Sequence, residues 1–384
     1  MRFEFATANR IIFGPGTLDE VGPIASGMGR RPLVVTGLSG DRAAPLKDAL
    51  ERQGMEITRS KVSGEPTTDM ALDVVQKARR AECDMVIGIG GGSVIDTGKV
   101  VAALITNRGP LIDYLEVIGS AQPLVYAAAP YIAIPTTAGT GSEVTRNAVL
   151  GSPDHHVKVS MRSPLMLPNL AVVDPELTVS LPPAITAITG LDAFTQLMEA
   201  FVSSQANAMT DGICREGLIC AAESLQRAYE NGGDRAAREK MCLASLFSGL
   251  ALANAKLGAV HGIAGPLGGM IPGAHGAICA GLLPHVVETN IKVLQTRAGD
   301  SPGLARYEEL ARMLTQNPEA RAEDGIVWIN NLCQTLQIQS LAQLGLSKAD
   351  FPAVVAKSQV ASSMQGNPIR LTEAEIFEIL HKAL

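Results

Sequence analysis

The sequence predicts two domains: an α/β domain with a mostly parallel sheet over residues 1–181, and an all-α domain over residues 182–384. Three observations predict it. Short β-type runs alternate with helical patterns through the first half, the signature of strands joined by crossover helices. That alternation stops after Leu181-Pro182-Pro183, and helical periodicity takes over. A chain of 384 residues also exceeds what one ordinary core supports.

The elements follow in order. Pro32-Leu-Val-Val-Thr36 reads as a buried strand, followed by a helix over 43–53. Met85-Val-Ile-Gly-Ile89 is a second strand that runs into glycines, with a helix over 93–105. Tyr131-Ile-Ala-Ile134 and Leu170-Ala-Val-Val173 are further strands bounded by Pro, Gly and Asp. Past the boundary, 210–230 and 234–255 carry helical periodicity, and the last helix opens on a capping box of Thr372 and Glu375.

Composition narrows the class. The chain is 46% hydrophobic and 18% charged, which suits a packed enzyme core and excludes a disordered or fibrous chain. A net charge of -6 without any Lys/Arg run argues against a nucleic-acid partner. The six cysteines form no CxxC pair, so a reducing, cytoplasmic setting is expected. Glu4 and the lack of an apolar stretch behind it argue against a signal peptide, and no apolar run approaches membrane-spanning length.

Two loops point to an anionic ligand. Gly88-Ile-Gly90-Gly91-Gly92-Ser93 joins a strand to a helix, leaving bare backbone N–H groups and a helix N-terminus to face whatever binds. It is not a Walker A loop, which needs Gly at Ser93 and Ser or Thr at Val100, and the usual dinucleotide fingerprint would also need Gly at Ser93. The glycines alone fit a tight turn as well as a phosphate cradle. Pro135-Thr136-Thr137-Ala-Gly139-Thr140-Gly141-Ser142-Glu143 follows another strand and has more hydroxyl and acid side chains than a turn requires. Two such loops after two parallel strands would embrace one dinucleotide.

A third constellation suits a metal. Three of the six histidines, His261, His275 and His285, fall in one short window. Asp192 and Gln196 stand at i, i+4, so on a helix they share a face. An acid, an amide oxygen and two imidazoles suit a divalent cation such as iron, zinc or manganese, not a cysteine-rich structural zinc site.

Taken together, Gly90-Gly-Gly-Ser-Val-Ile-Asp96-Thr-Gly-Lys99, Pro135 to Glu143, Asp174-Pro-Glu-Leu-Thr178, Leu181-Pro-Pro183, Gly190-Leu-Asp-Ala193 and His261 to His275 strongly resemble the iron-containing (group III) alcohol dehydrogenases. The resemblance runs from Ile12-Phe-Gly-Pro-Gly16 to Asn367-Pro368 and the final helix. It implies a dinucleotide-binding α/β domain and a helical metal-binding domain, of dehydroquinate synthase-like architecture, with the active site in the cleft between them. Gly91, Gly92 and Ser93 would hold the pyrophosphate, and Thr136, Thr137 and Thr140 would line the adenosine and pyrophosphate side. Thr145, Asn147 and Lys158 would approach the nicotinamide riboside, although without the resemblance Lys158 reads as a solvated surface lysine. An acid after the strand ending at Thr36 would hydrogen-bond a ribose 2′-OH and repel a 2′-phosphate. Gly37, with Ser39 and Arg42 behind it, removes that repulsion and permits NADP(H) beside NAD(H).

The resemblance gives Asp192, His261 and His275 as metal ligands and catalytic residues, with Gln196 at a position where the family usually has histidine. Gly265 is a second departure, at another position usually held by histidine, and it enlarges the substrate space. His285 reads as a helix residue tied to backbone. The implied activity is an NAD(P)-linked alcohol dehydrogenase, or aldehyde or ketone reductase, assisted by Fe2+ or Zn2+. It would act as a cytoplasmic homodimer or higher homo-oligomer on small alcohols or aldehydes, with no nucleic-acid or membrane partner. No cysteine has a neighbouring base in sequence that would make it a nucleophile. A metal-independent reductase like maleylacetate reductase, or a nucleotide-binding homologue with little turnover, are the alternatives.

Overall fold

The structure, a computed structural model, describes residues 2–37, 40–155 and 157–384. Its chain divides into two compact units, one of Ala6–Ser180 and one of Leu181–Leu384 that also takes in the residues up to Phe5.

The first unit runs β1 (Ile11–Phe13), α1 (Val21–Ser26), β2 (Pro32–Thr36), α2 (Ala44–Arg52), β3 (Thr58–Lys61), α3 (Thr68–Arg80), β4 (Met85–Gly90), α4 (Gly92–Thr106), α5 (Leu111–Tyr114), β5 (Tyr131–Pro135), β6 (Asn147–Ser152), β7 (Val157–Arg162) and β8 (Leu170–Val173). Six strands form one sheet in the order β1-β8-β5-β4-β2-β3, and every pairing in it is parallel. Successive strand residues feed opposite faces. Leu33, Val35 and Val86 join a core with α3 and α4, while Val34, Ile87, Ile89, Ile132 and Ile134 join one with α1 and α2. Burial on both faces is why these strands read as unbroken apolar runs.

From β2 the chain moves outward to β3, and from β4 it moves the other way to β5. The carboxyl ends of β2 and β4 therefore flank a topological switch point, where open α/β sheets leave a crevice for a ligand. The sequence reading of β2, β4, β5 and β8 matches these strands. It did not anticipate the separate antiparallel hairpin of β6 and β7, in which Asn147 faces Arg162 and Ser152 faces Val157.

The second unit is helical: α6 (Pro183–Val202), α7 (Ala208–Glu230), α8 (Arg235–Asn254), α9 (Ala259–Leu267), α10 (His275–Arg297), α11 (Pro302–Thr315), α12 (Ala322–Thr335), α13 (Phe351–Val360) and α14 (Glu373–Ala383). Thr372 and Glu375 do form the capping box that opens α14. Every residue of α6 from Gly190 to Val202 is buried, so this helix is central, packed on α7, α8 and α10. Helix α10 is long and apolar enough to cross a bilayer, which the sequence reading did not expect, but most of its apolar stretch is buried within the protein. It is a core helix.

Candidate functional site

In the sheet unit, Thr36, Gly37, Arg42, Ala43, Ile89, Gly90, Gly91, Thr136 and Thr137 line a cavity of about 160 Å³ at the carboxyl ends of β2, β4 and β5. Gly91 precedes α4, and no side chain caps that helix start. A Cβ at Gly92 would lie 2.8 Å from Thr140 Cγ2, and one at Gly91 would lie 3.5 Å from Thr137 Cγ2. The two loops singled out in the sequence thus close on each other, and any side chain at 92 would displace that of Thr140. Side-chain-free backbone at a helix start between hydroxyl groups fits a pyrophosphate. Gly37 has open space around its Cβ position, and Arg42 is held nearby by Ser180, whose Oγ accepts from Nε at 2.9 Å. Ser39 lies outside the described residues.

Lys99 had no assigned role in the sequence reading, yet it organises the neighbouring loop. Its ammonium is wholly buried and donates to Ser142 Oγ at 2.7 Å, Thr145 Oγ1 at 2.8 Å and the Asn147 carbonyl at 2.7 Å, with Asp96 Oδ1 at 3.5 Å. Burial lowers its pKa, while Asp96 and Glu143 work the other way. Buried charge needs such acceptors on every side. The Thr145 hydroxyl and Asn147 carbonyl are therefore engaged by Lys99. Lys158 lies on β7 and pairs with Glu65 at 2.5 Å.

The helical unit brings together a second group. On the buried helix α6, Asp192, Gln196 and Glu199 stand at i, i+4 and i+7, a single polar stripe. Helix α9 contributes His261, and α10 contributes His275 and Cys279, one turn apart. A Cβ at Gly276 would stand 2.6 Å from the Ile188 carbonyl, so glycine lets the start of α10 press against α6. Ligand atoms of Asp192, His261, His275 and Cys279 all lie within 4.8 Å of one another. His261 Nε2 is 3.4 Å and His275 Nε2 4.0 Å from Asp192 Oδ1. Cys279 Sγ is 3.8 Å from His261 Nε2 and 3.6 Å from His275 Nε2.

Two features show that this group suits a cation. Asp192 Oδ1 is buried without a hydrogen-bond partner, which is costly for a carboxylate unless something positive faces it. His261 Nδ1 meets Glu199 Oε2 at 2.7 Å, and an Nδ1–H donated to that carboxylate leaves the Nε2 lone pair aimed at the cluster. Glu199 also accepts from the Val260 and His261 backbone N–H groups at 2.6 and 3.3 Å, capping α9. Asn367 accepts from the Ala259 N–H at 3.0 Å, which gives the closing Asn367-Pro368 motif its local purpose.

With no cation present, the imidazoles take up the positive charge themselves. Burial pushes the Asp192 pKa up, but His261 and His275 outweigh it and hold the carboxyl below its ordinary value. Burial likewise opposes charge on His261, yet Cys279, Asp192 and Glu199 raise its pKa well above the ordinary imidazole value. The Cys279 thiol, despite burial, is drawn below its usual value by His275 and His261.

Gln196, expected as a ligand, stands beside Asp192 as a hydrogen-bond donor. Its Nε2 donates to Asp192 Oδ2 at 3.1 Å and its Oε1 accepts from Ser248 Oγ at 3.0 Å, so the amide oxygen does not converge with the other donors. Flipping the amide would set oxygen against the carboxylate oxygen, which repels it. The amide supports Asp192. The sequence also passed over Glu199 and Cys279, although i+7 from Asp192 and i+4 from His275 were the spacings that mark a shared helix face. Cys279 does have bases beside it, supplied by folding. His285, further along α10, lies near Glu288 and Lys382, and burial lowers its pKa.

Comparison with known proteins gives concordant results over the whole chain. A family model described as iron-containing alcohol dehydrogenase matches residues 8–175, and its C-terminal counterpart matches residues 186–384. The 1,3-propanediol dehydrogenase of Klebsiella pneumoniae is 34% identical over 391 residues, covering 99% of this chain and 98% of that protein. A crystal structure of 1,3-propanediol oxidoreductase superposes with a TM-score of 0.92 at 32% identity, covering 100% of both chains. Sulfoacetaldehyde reductase from Bifidobacterium kashiwanohense, solved in complex with NAD+, gives a TM-score of 0.87 at 27% identity, covering 100% of this chain and 99% of the other.

Proposed function

The chain belongs to the iron-containing alcohol dehydrogenase family, and from that premise we propose that it interconverts small alcohols with aldehydes or ketones, using NAD(H) or NADP(H) and one divalent cation. The observation that carries this reading is the buried, unpartnered Asp192 Oδ1 facing two imidazoles, one of them fixed by Glu199.

When bound, the nicotinamide cofactor supplies or takes the hydride and the cation supplies Lewis acidity toward the substrate oxygen. Asp192, His261 and His275 hold the cation. Glu199 keeps His261 in one tautomer, and Gln196 fixes the Asp192 carboxylate through Oδ2. Gly91, Gly92 and Ser93 present backbone to the pyrophosphate, with Thr136, Thr137 and Thr140 beside it. Thr145 and Asn147, which Lys99 holds where the β6–β7 hairpin begins, would flank the nicotinamide riboside, with Lys158 on the second strand of that hairpin. Gly265 has no side chain to carry a proton, so no residue at that position would take part in proton exchange.

Gly37 and Arg42 beside the cavity favour acceptance of a 2′-phosphate, so NADP(H) belongs to the reading alongside NAD(H). Fe2+ and Zn2+ are both compatible with these donors. Six free, buried cysteines support a cytoplasmic setting, and a homo-oligomer is the proposed assembly.

The test is metal analysis of protein purified without chelator, with turnover of an alcohol and aldehyde panel before and after metal removal. His261→Ala should abolish turnover while dinucleotide binding persists. Full turnover in metal-free protein overturns the reading.

A further inference from the structure

We infer that Cys279 is a direct ligand of the cation, completing an Asp192, His261, His275, Cys279 donor set in which Gln196 takes no part. The inference rests on the reading above that a cation binds here, and extends it to a residue outside the expected set.

The geometry comes first. Bond lengths of about 2.0–2.1 Å to nitrogen or oxygen and about 2.3 Å to sulfur give tetrahedral edges of about 3.3 Å for N···O and about 3.5 Å for N···S. The corresponding separations here are 3.4 and 4.0 Å for the imidazole–carboxylate edges, and 3.6 and 3.8 Å for the imidazole–thiol edges. Three of these edges lie within a few tenths of an ångström of that arrangement, the His275–Asp192 edge is about 0.7 Å longer, and all the donor atoms fall within 4.8 Å of one another.

Orientation comes second. His275 and Cys279 sit one turn apart on α10, so a ligating imidazole carries the thiol to the same point. Gln196 cannot compete for it, because both ends of its amide are engaged by Asp192 and Ser248.

Charge comes third. Asp192 and Glu199 together already balance a divalent cation, so a Cys279 thiolate would leave the buried group with one net negative charge, and what it adds is donor character. Thiolate also makes the donor set softer, which favours zinc and other borderline metals over magnesium or calcium.

The experiment uses cobalt(II) as a spectroscopic substitute in full-length protein stripped of metal. Thiolate ligation gives a thiolate-to-cobalt charge-transfer band in the near ultraviolet, while ligand-field bands report binding by any donors. The wild type should show both, and the band should survive Gln196→Ala. Cys279→Ser should keep ligand-field absorption, lose the charge-transfer band and bind zinc at least about tenfold more weakly. If wild-type protein shows ligand-field bands alone, and Cys279→Ser binds zinc as tightly, the cation site stands and Cys279 is not its ligand. If equilibrium dialysis finds no cobalt or zinc bound, both readings fail. The wild-type spectrum decides the matter even if the variant does not fold.

Discussion

Glu199 Oε2 lies 2.7 Å from His261 Nδ1, while the same carboxylate accepts two backbone N–H groups at the start of α9. One side chain therefore fixes both the helix that carries His261 and the tautomer of its ring. Replacing Glu199 with Gln removes the charge and keeps the shape. Zinc affinity should fall about 10–100-fold, the usual consequence of losing a carboxylate behind a ligating imidazole. Competition with a chromogenic chelator measures this, and an unchanged affinity would show that Glu199 acts on the helix alone.

Gly37 offers a cofactor test. Open space surrounds its Cβ position, so Gly37→Asp should fold without rearrangement. The new carboxylate accepts from a ribose 2′-OH and repels a 2′-phosphate. The ratio of kcat/KM for NAD(H) over NADP(H) should rise by about tenfold or more, since 1.4 kcal/mol of discrimination suffices. A ratio that does not move places the adenosine ribose elsewhere.

Gly265 on α9 also has nothing within 4 Å of a built Cβ. Gly265→His should lower kcat/KM for bulky alcohols more than for small ones, because an imidazole fills the space they need. A loss equal across a series of chain lengths would mean that this position does not border the substrate.

Glu143 gives a pH test. Burial raises its pKa to about 7, with its backbone hydrogen bonding and Lys99 pulling the other way. The unfolded chain ionises this carboxyl near its ordinary value, and the folded chain resists until about pH 7. Stability contributed at acid pH is therefore lost as pH rises between those two values, by about 3 kcal/mol in order of magnitude. Glu143→Gln removes that dependence, so the Tm of the variant relative to wild type should climb between pH 5 and pH 8. A difference that is flat with pH would contradict a raised pKa for Glu143.

The strands of the main sheet were legible because burial on both faces leaves an apolar run that few other structures produce. The β6–β7 hairpin was not. Its second strand, Val157-Lys-Val-Ser-Met-Arg162, does alternate apolar and polar residues at the strand period, but Asn147-Ala-Val-Leu-Gly-Ser152 does not, and no strong hairpin dipeptide joins the two. Asp192, His261 and His275 were visible because acids and histidines mark metal chemistry by type. Glu199 was hidden, since an acid on an apolar helix looks alike whether it binds a ligand or orients one. The part played by Gln196 was hidden for a related reason: spacing fixes which face a side chain shares, but not which end of an amide turns inward. Cys279 was illegible because its bases come from folding, His261 from another helix and His275 from one helical turn away.

The donors of the metal cluster all come from α6, α9 and α10, so they exist as a set only while the unit of Leu181–Leu384 is folded. A cation that binds this set and not the open chain adds about 4 kcal/mol to its unfolding free energy at a thousandfold excess over Kd, by mass action. Ala6–Ser180 contains none of these donors and gains nothing directly. Chelation should therefore lower the melting of one half of the polypeptide and split a single calorimetric transition into two. Partly melted helices are what proteases cut. Metal supply would then govern how long each copy of the protein survives, as well as whether it turns over substrate.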